Sequence, residues 1–349
     1  MKIDYYLNAR NIPLVYGETF VSLVKKADFH ACRIILITNQ RYYDLFSEKI
    51  NHALGTHQTI NWYICRNDVH CNTMSELEGI FSFLEELPKG QSLQLVGFGN
   101  EGVIQLTSFL RKTSVYPTAS WLVPLSIQAF SQALLPFAAI EWQNKTVMSV
   151  TAEVQQIIYD FTLTNKKGAG KLVDFMVFLR CGIVCSHDFL QQLFKNYPDQ
   201  KRLQQTSFNG MLDKLLQFYE IAGPQINQFG QPFEQAFLRT ENGHLLSGSM
   251  KCFLGMLLHL LWCQETASFE FNFKNFLTWL AHLGFPVDFP KEIFLSDYTE
   301  NMMQQLKEGA SLIFLSDIGQ QQKNTVQPTP VQLLTTIENY QKIVAEIRG

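Results

Sequence analysis

The stretch Ser92–Leu110, SLQLVGFGNEGVIQLTSFL, decides the fold class. Leu93 to Val96 is a short apolar run of the kind that forms a buried parallel strand. Gly97, Gly99 and Gly102 follow, and the apolar residues then shift to helical spacing at Val103, Leu106 and Leu110. A strand, a glycine turn and a helix start gather backbone N–H groups and the positive end of a helix dipole, an arrangement that suits a phosphate or pyrophosphate. Glycines at a strand–helix junction also let the helix pack closely on the strand, and on these residues alone both readings stand.

Outward from this stretch, strands alternate with helices. Ile3–Leu7 and Pro13–Tyr16 pattern as a hairpin leading into a helix over 18–27. Arg33–Thr38 and Ile60–Cys65 pattern as buried strands, with helices over Arg41 to Leu54 and Thr73–Leu87 and a break at Lys89-Gly90. Trp121–Pro124 follows as a strand and Ile127–Leu135 as a short helix. Such alternation implies a parallel sheet covered on both faces, an α/β domain of nucleotide-binding type over residues 1–163. The polar, glycine-containing run at 162–170, TLTNKKGAG, is expected to be a hinge. Residues 164–349 then form a mainly helical, all-α domain, with helices expected over Leu172–Val184, Asp188–Lys195, Gly210–Ala222, Ser249–Glu265, Phe273–Leu283, Asp297–Lys307 and Thr329–Ile347. Ser311–Leu315 is a late strand-like run. A site is expected in the cleft between the two halves.

Composition narrows the function classes. Of 349 residues 17% are charged and 46% are apolar, which is globular material with enough chain for two domains. A net charge of −3 argues against nucleic acid as a partner, and no apolar run is long enough to span a membrane. The opening MKIDYYLNARNIPLVYG lacks the apolar run of a signal peptide, and the seven cysteines sit mostly in apolar segments as reduced core thiols, so a cytoplasmic location is expected.

Local matches along most of the chain resemble the dehydroquinate synthase-like sugar-phosphate cyclases. ILITNQRYYDLF at 35–46 is similar to the family's strand and ribose-binding turn, with Thr38-Asn39 where the family has threonine and aspartate. LVGFGNEG at 95–102 resembles its dinucleotide loop through Gly97, Gly99 and Gly102, and LVPLS at 122–126 a further segment through Pro124 and Ser126. FLRCGIV at 178–184, FGQPFEQAF at 229–237 and LLSGSMKCFLGM at 245–256 fall where the family carries its metal ligands. The resemblance implies bound NAD, a divalent metal such as zinc, a homodimer, and a carbon–oxygen lyase reaction that oxidises a sugar phosphate, eliminates phosphate and closes a carbocycle.

The departures fall on the chemistry. The family's glutamate and two histidines correspond here to Val177, Gln231 and Ser247 (or Gly248), so zinc is not expected. The substrate-gripping glycine-glycine-lysine segment is Pro136-Phe137-Ala138, the aspartate before it Gln132, a further histidine Gln235, and the late lysines Gln304-Gln305. A nucleotide-contacting lysine is Asn72, and the aspartate after the glycine loop is Val103. Lys145 and Arg180 are the basic positions that survive. Phe98 replaces the central glycine of the loop, which is expected to put its ring near the pyrophosphate path.

Bland readings are expected for the remaining polar residues. Asp174 and His244 are a surface carboxylate and a loop histidine, and His187-Asp188 a helix cap. His259 is a hydrogen-bonded core residue, and Lys166, Lys167 and Lys171 form a solvated basic cluster. The sequence therefore reads as a cyclase homologue without the chemistry, kept for binding an unidentified small molecule or protein. An active 3-dehydroquinate synthase-like cyclase and a metal-free NAD-binding protein are the alternatives.

Overall fold

The computed structural model describes residues 2–7, 10–27, 32–54, 60–68, 70–88, 90, 92–116, 118–143, 145–164, 167–322 and 326–349. It groups the chain into two compact units, Met1–Lys166 and Lys167–Gly349. Lys89 and Lys166 lie outside the described residues.

The first unit runs β1 (Lys2–Leu7), β2 (Arg10–Tyr16), α1 (Phe20–Lys26), β3 (Cys32–Asn39), α2 (Gln40–Leu54), β4 (Ile60–Cys65), α3 (Met74–Glu85), β5 (Ser92–Gly99) and α4 (Glu101–Thr113). It continues with β6 (Thr118–Pro124), α5 (Ile127–Ala133), β7 (Phe137–Trp142), β8 (Lys145–Thr151), β9 (Gln156–Tyr159) and α6 (Phe161–Thr164). Seven strands form one sheet in the order β1-β2-β9-β6-β5-β3-β4, parallel except for the opening β1–β2 hairpin. The expected α/β layering is present, with an apolar cluster on each face. One packs Leu93, Leu95, Val103 and Leu106 with Leu77 and Ile80. The other packs Val96 and Phe98 with Phe20, Leu36 and Ile50.

Two features of this unit differ from the sequence reading. The antiparallel β7–β8 pair and strand β9 are additional elements; Ala138 and Ile140 alternate with more exposed neighbours, a period-two signal in a segment read above only for its missing lysine. The second difference is that the glycines form no turn. β5 continues to Gly99, with Gly97 opposite Ile37 and Gly99 opposite Pro124. Because side chains alternate along a strand, Gly97 and Gly99 face α4 while Phe98 faces the other side. A Cβ on Gly97 would lie 2.5 Å from Thr107 Oγ1, and one on Gly99 2.9 Å from the Val103 side chain. Close strand–helix packing therefore accounts for both glycines. Phe98 is 1% exposed and packs 5.5 Å from the Phe20 ring and 5.6 Å from Phe46, away from any pyrophosphate path.

The second unit is helical apart from one short ribbon. It contains α7 (Ala169–Cys185), α8 (His187–Asn196), α9 (Gln200–Gln205), α10 (Leu212–Gln228), α11 (Gln231–Arg239), α12 (Gly248–Ala267), α13 (Phe273–His282), α14 (Leu295–Lys307), β10 (Phe314–Asp317), β11 (Gln320–Gln322) and α15 (Pro330–Arg348). α9 and α11 are additions to the expected helices, and the late strand lies over Phe314–Asp317 rather than Ser311–Leu315. α10 continues beyond Ala222 to Gln228, kinking at Ala222 with Pro224 just beyond. α8 is capped by the Ser186 side chain, which accepts from Phe189 N, rather than by His187 or Asp188. Among the described residues no helix is long and apolar enough to cross a membrane.

α11 and α12 meet backbone to backbone. A Cβ on Gly255 would lie 2.7 Å from Glu234 N and 2.8 Å from Gly230 O. Gly230 holds φ +89°, a left-handed conformation that favours glycine. His259, fully buried on α12, fastens the same corner: its Nδ1 accepts from Gly230 N at 2.9 Å, which leaves Nε2–H to donate to Ile313 O at 2.8 Å. Its ring stacks on Phe229 at 4.2 Å. Burial lowers its pKa from 6.5 to about 3, against the opposing pull of the Ile313 carbonyl.

Two tests follow from this packing. Replacing Gly97 or Gly99 by Ala is expected to lower unfolding free energy by about 1–3 kcal/mol, measured by chemical denaturation, because the new methyl group overpacks the α4 face. The His259 prediction has a defined sign. The unfolded chain takes up the proton near pH 6.5 and the folded chain only near 3, so this contribution is complete above 6.5 and is lost as pH falls toward 3. The loss approaches about 1.4 kcal/mol per pH unit in that window. His259→Gln should be less stable at neutral pH and show a flatter acid limb; an unchanged limb would assign the proton uptake elsewhere.

Candidate functional site

The nucleotide-type positions do come together, at the carboxyl ends of β3, β5 and β6. Thr38 and Asn39 end β3, Gly97 and Gly99 end β5, and Pro124 ends β6 beside Gly99. In open parallel sheets this edge is where ligands bind. Most of the polar atoms here, however, are engaged within the protein. Thr38 Oγ1 donates to Phe98 O at 2.6 Å, and Asn39 Nδ2 donates to Arg66 O at 2.9 Å. Ser126 caps α5, accepting from Ala129 N at 2.9 Å. Asn72, in place of the family's lysine, donates to Ala139 O.

The start of α4 is likewise closed. Asn100 Oδ1 accepts from Val103 N at 3.2 Å, while its Nδ2 donates to Asp68 O at 2.8 Å. Glu101 occupies the first turn beside Gly102, so its carboxylate complements the positive end of the helix dipole. One acceptor stands out: Asn39 Oδ1 is buried and has no hydrogen-bond partner among the described residues. Lys145, the first residue of β8, is exposed.

In the second unit, the three positions that the resemblance sets against metal ligands lie within α7, at the start of α11 and at the cap of α12. Val177 is 3% exposed, within the apolar run of α7. Gln231 is exposed at the first position of α11. Ser247 caps α12, accepting from Met250 N at 3.2 Å. None supplies a carboxylate or imidazole, and among the described residues no group of three or more His, Cys, Asp or Glu is placed to hold a metal ion.

The same three helices, about one turn further along, instead bring ionic side chains inward. Arg180 of α7 is buried and donates from Nη2 to Cys252 Sγ of α12 at 2.7 Å. Burial opposes its charge, but Cys252, Glu234 and Tyr219 together hold its pKa above the ordinary value. Lys251, next to Cys252, is buried and has its pKa lowered by burial, with Glu234 pulling the other way. Only Arg180 of this group was singled out in the sequence; Glu234, Lys251 and Cys252 carry no motif, and it is helix packing that joins them.

Two further expectations are corrected nearby. Lys171 is 3% exposed rather than solvated: its Nζ donates to Thr206 O at 2.6 Å and lies 4.2 Å from the Phe208 ring centroid. Asp174 is 2% exposed rather than a surface carboxylate, and its charge counters the lowering of the Lys171 pKa by burial. His244 is exposed, as expected.

No family model matches the chain. Sequence relatives extend along most of it. A 3-dehydroquinate synthase of Listeria welshimeri serovar 6b is 20% identical over 331 residues, covering 90% of this chain and 88% of the relative. A 3-dehydroquinate synthase of Listeria monocytogenes serotype 4a is 21% identical over 304 residues, 82% of each. Among solved structures, 2-deoxy-scyllo-inosose synthase complexed with carbaglucose-6-phosphate, NAD+ and Co2+ aligns at a TM-score of 0.79 and 12% identity, over 97% of this chain and 100% of that one. The 2-epi-5-epi-valiolone synthase of Streptomyces hygroscopicus, with NAD+ and Zn2+ bound, aligns at 0.73 and 12% identity, over 96% and 98%. Sequence similarity across most of the chain, joined to agreement of fold, makes the dehydroquinate synthase-like sugar-phosphate cyclases the proteins that this chain is similar to.

Proposed function

We propose that this protein keeps the cyclase fold without cyclase chemistry, and that it binds a small molecule or a protein partner instead of turning over a sugar phosphate. The observation that carries this reading is the use made of the metal positions. Val177 is core, Gln231 opens a helix, and the Ser247 hydroxyl is committed to a cap. A divalent metal in the related enzymes would polarise substrate oxygens, worth several kcal/mol in the transition state, and these side chains offer it no donor set. They do not fit the metal, and no reaction step is derived through one.

A second reading, NAD binding without turnover, has one specific observation behind it. Asn39 Oδ1 is a buried acceptor with no partner among the described residues, at the position that matches the family's ribose-binding aspartate. Against it stand the capped start of α4 and the Glu101 carboxylate.

Calorimetric titration with NAD, run beside a cyclase assay with added zinc or cobalt, separates these readings. The expected result is no carbocycle formed from the sugar-phosphate substrates of 3-dehydroquinate synthase or 2-deoxy-scyllo-inosose synthase, and no micromolar NAD heat. Turnover would overturn the proposal. Micromolar NAD binding that disappears in Asn39→Ala would move the assignment to the second reading. A homodimer, implied by the resemblance, is proposed alongside: light scattering should give twice the chain mass of 40.1 kDa, and a monomer would refute it.

A further inference from the structure

We propose that Cys252 is carried as a thiolate ion-paired with Arg180, and that it is the thiol of this protein that reacts with small soft electrophiles. The inference stands on the geometry of the second unit and does not depend on the function proposed above. Arg180 is 8% exposed, and a buried guanidinium needs an anion beside it. Its Nη2 donates to Cys252 Sγ at 2.7 Å, so the guanidinium charge sits directly against the sulfur, where it favours the thiolate. Its Nε is also buried and has no partner among the described residues, so the guanidinium retains unmet demand for electron density at this spot. The ionisable groups facing the pair are Tyr219 on α10, Glu234 on α11 and Lys251 on α12. Glu234 acts on both Arg180 and Lys251, and a thiolate at Cys252 places a further negative charge directly beside the guanidinium. Asp174, on the same helix as Arg180, is the counter-charge of Lys171.

The other deeply buried thiols lack such a neighbour or are dominated by desolvation. Burial raises Cys181 and pushes Cys263 up to about 12, and the hydrogen bond from Cys71, with burial, raises Cys65. These thiols stay protonated and inert at neutral pH. Cys252 differs in the guanidinium at its sulfur and in the 6% of its surface that stays exposed. With iodoacetamide, the thiolate lone pair attacks the methylene carbon, the S–C bond forms as C–I breaks, and iodide leaves with the bonding electrons. No proton moves in that step, because the sulfur is already ionised.

The test is iodoacetamide labelling of the full chain, resolved cysteine by cysteine by mass spectrometry between about pH 8 and about pH 6. The expected result is that Cys252 labels ahead of the other buried cysteines and that its rate changes less than about twofold across this range, whereas an ordinary thiol slows close to tenfold per pH unit. Arg180→Met should restore the ordinary pH dependence at Cys252, and Arg180→Lys should keep much of the flat profile. Absence of Cys252 labelling in the wild-type protein, or a rate that falls tenfold per pH unit, overturns the proposal whether or not the variants fold.

Discussion

The first unit depends on how closely β5 lies against α4. Strand geometry sends alternate residues to opposite faces, so one face of β5 is fixed as Gly97 and Gly99 and the other as Val96 and Phe98. On the glycine face there is room for Thr107 and Val103 and for nothing else, which draws α4 against the sheet. On the other face Phe98 fills the space between α1 and α2, joined by Phe20 and Phe46. A glycine at 98 would leave a cavity there, with a cost of several kcal/mol by comparison with large-to-small substitutions in other cores. The residue that departs most visibly from a dinucleotide loop is therefore a structural member of the core.

A comparable constraint shapes the second unit. Gly230 and Gly255 allow α11 and α12 to meet through their backbones, and His259 ties Gly230 to the Ile313 carbonyl through both ring nitrogens. With the α11–α12 corner held, side chains one turn along the helices are forced together, and Arg180, Glu234, Lys251 and Cys252 become neighbours. A buried ionic cluster of this kind is a weak source of stability, since desolvation offsets most of the attraction.

Much of the fold was legible because the relevant signals are local. Apolar runs at Arg33–Thr38 and Ile60–Cys65 and helical spacing at Leu77, Ile80 and Leu84 announce their elements directly. His259 was legible as core because a lone histidine in LGMLLHLLWC has only apolar neighbours along the helix. The glycine stretch was misread in one respect: sequence places Gly97 and Gly99 after an apolar run but does not say whether the strand stops before them. Lys171 and Asp174 were misread because their burial comes from residues distant in sequence, Thr206 and Phe208 for the lysine. The Arg180–Cys252 contact joins positions 72 apart, and no local pattern encodes it.

The state of the metal positions follows from the same energetics. A glutamate at 177 would put a carboxylate into the apolar run of α7, at a desolvation cost of several kcal/mol. Valine at that position, 3% exposed, removes the charge and adds apolar burial worth roughly 1.5–3 kcal/mol. Ser247 is in the same position relative to α12: as a helix cap it contributes about 1 kcal/mol that a histidine would not supply as well. Each of these side chains thus favours folding where no metal is bound. On the proposed reading, α7, α11 and α12 present core, cap and ionic side chains at the positions that the resemblance sets against metal donors, and a shared fold does not by itself carry the site.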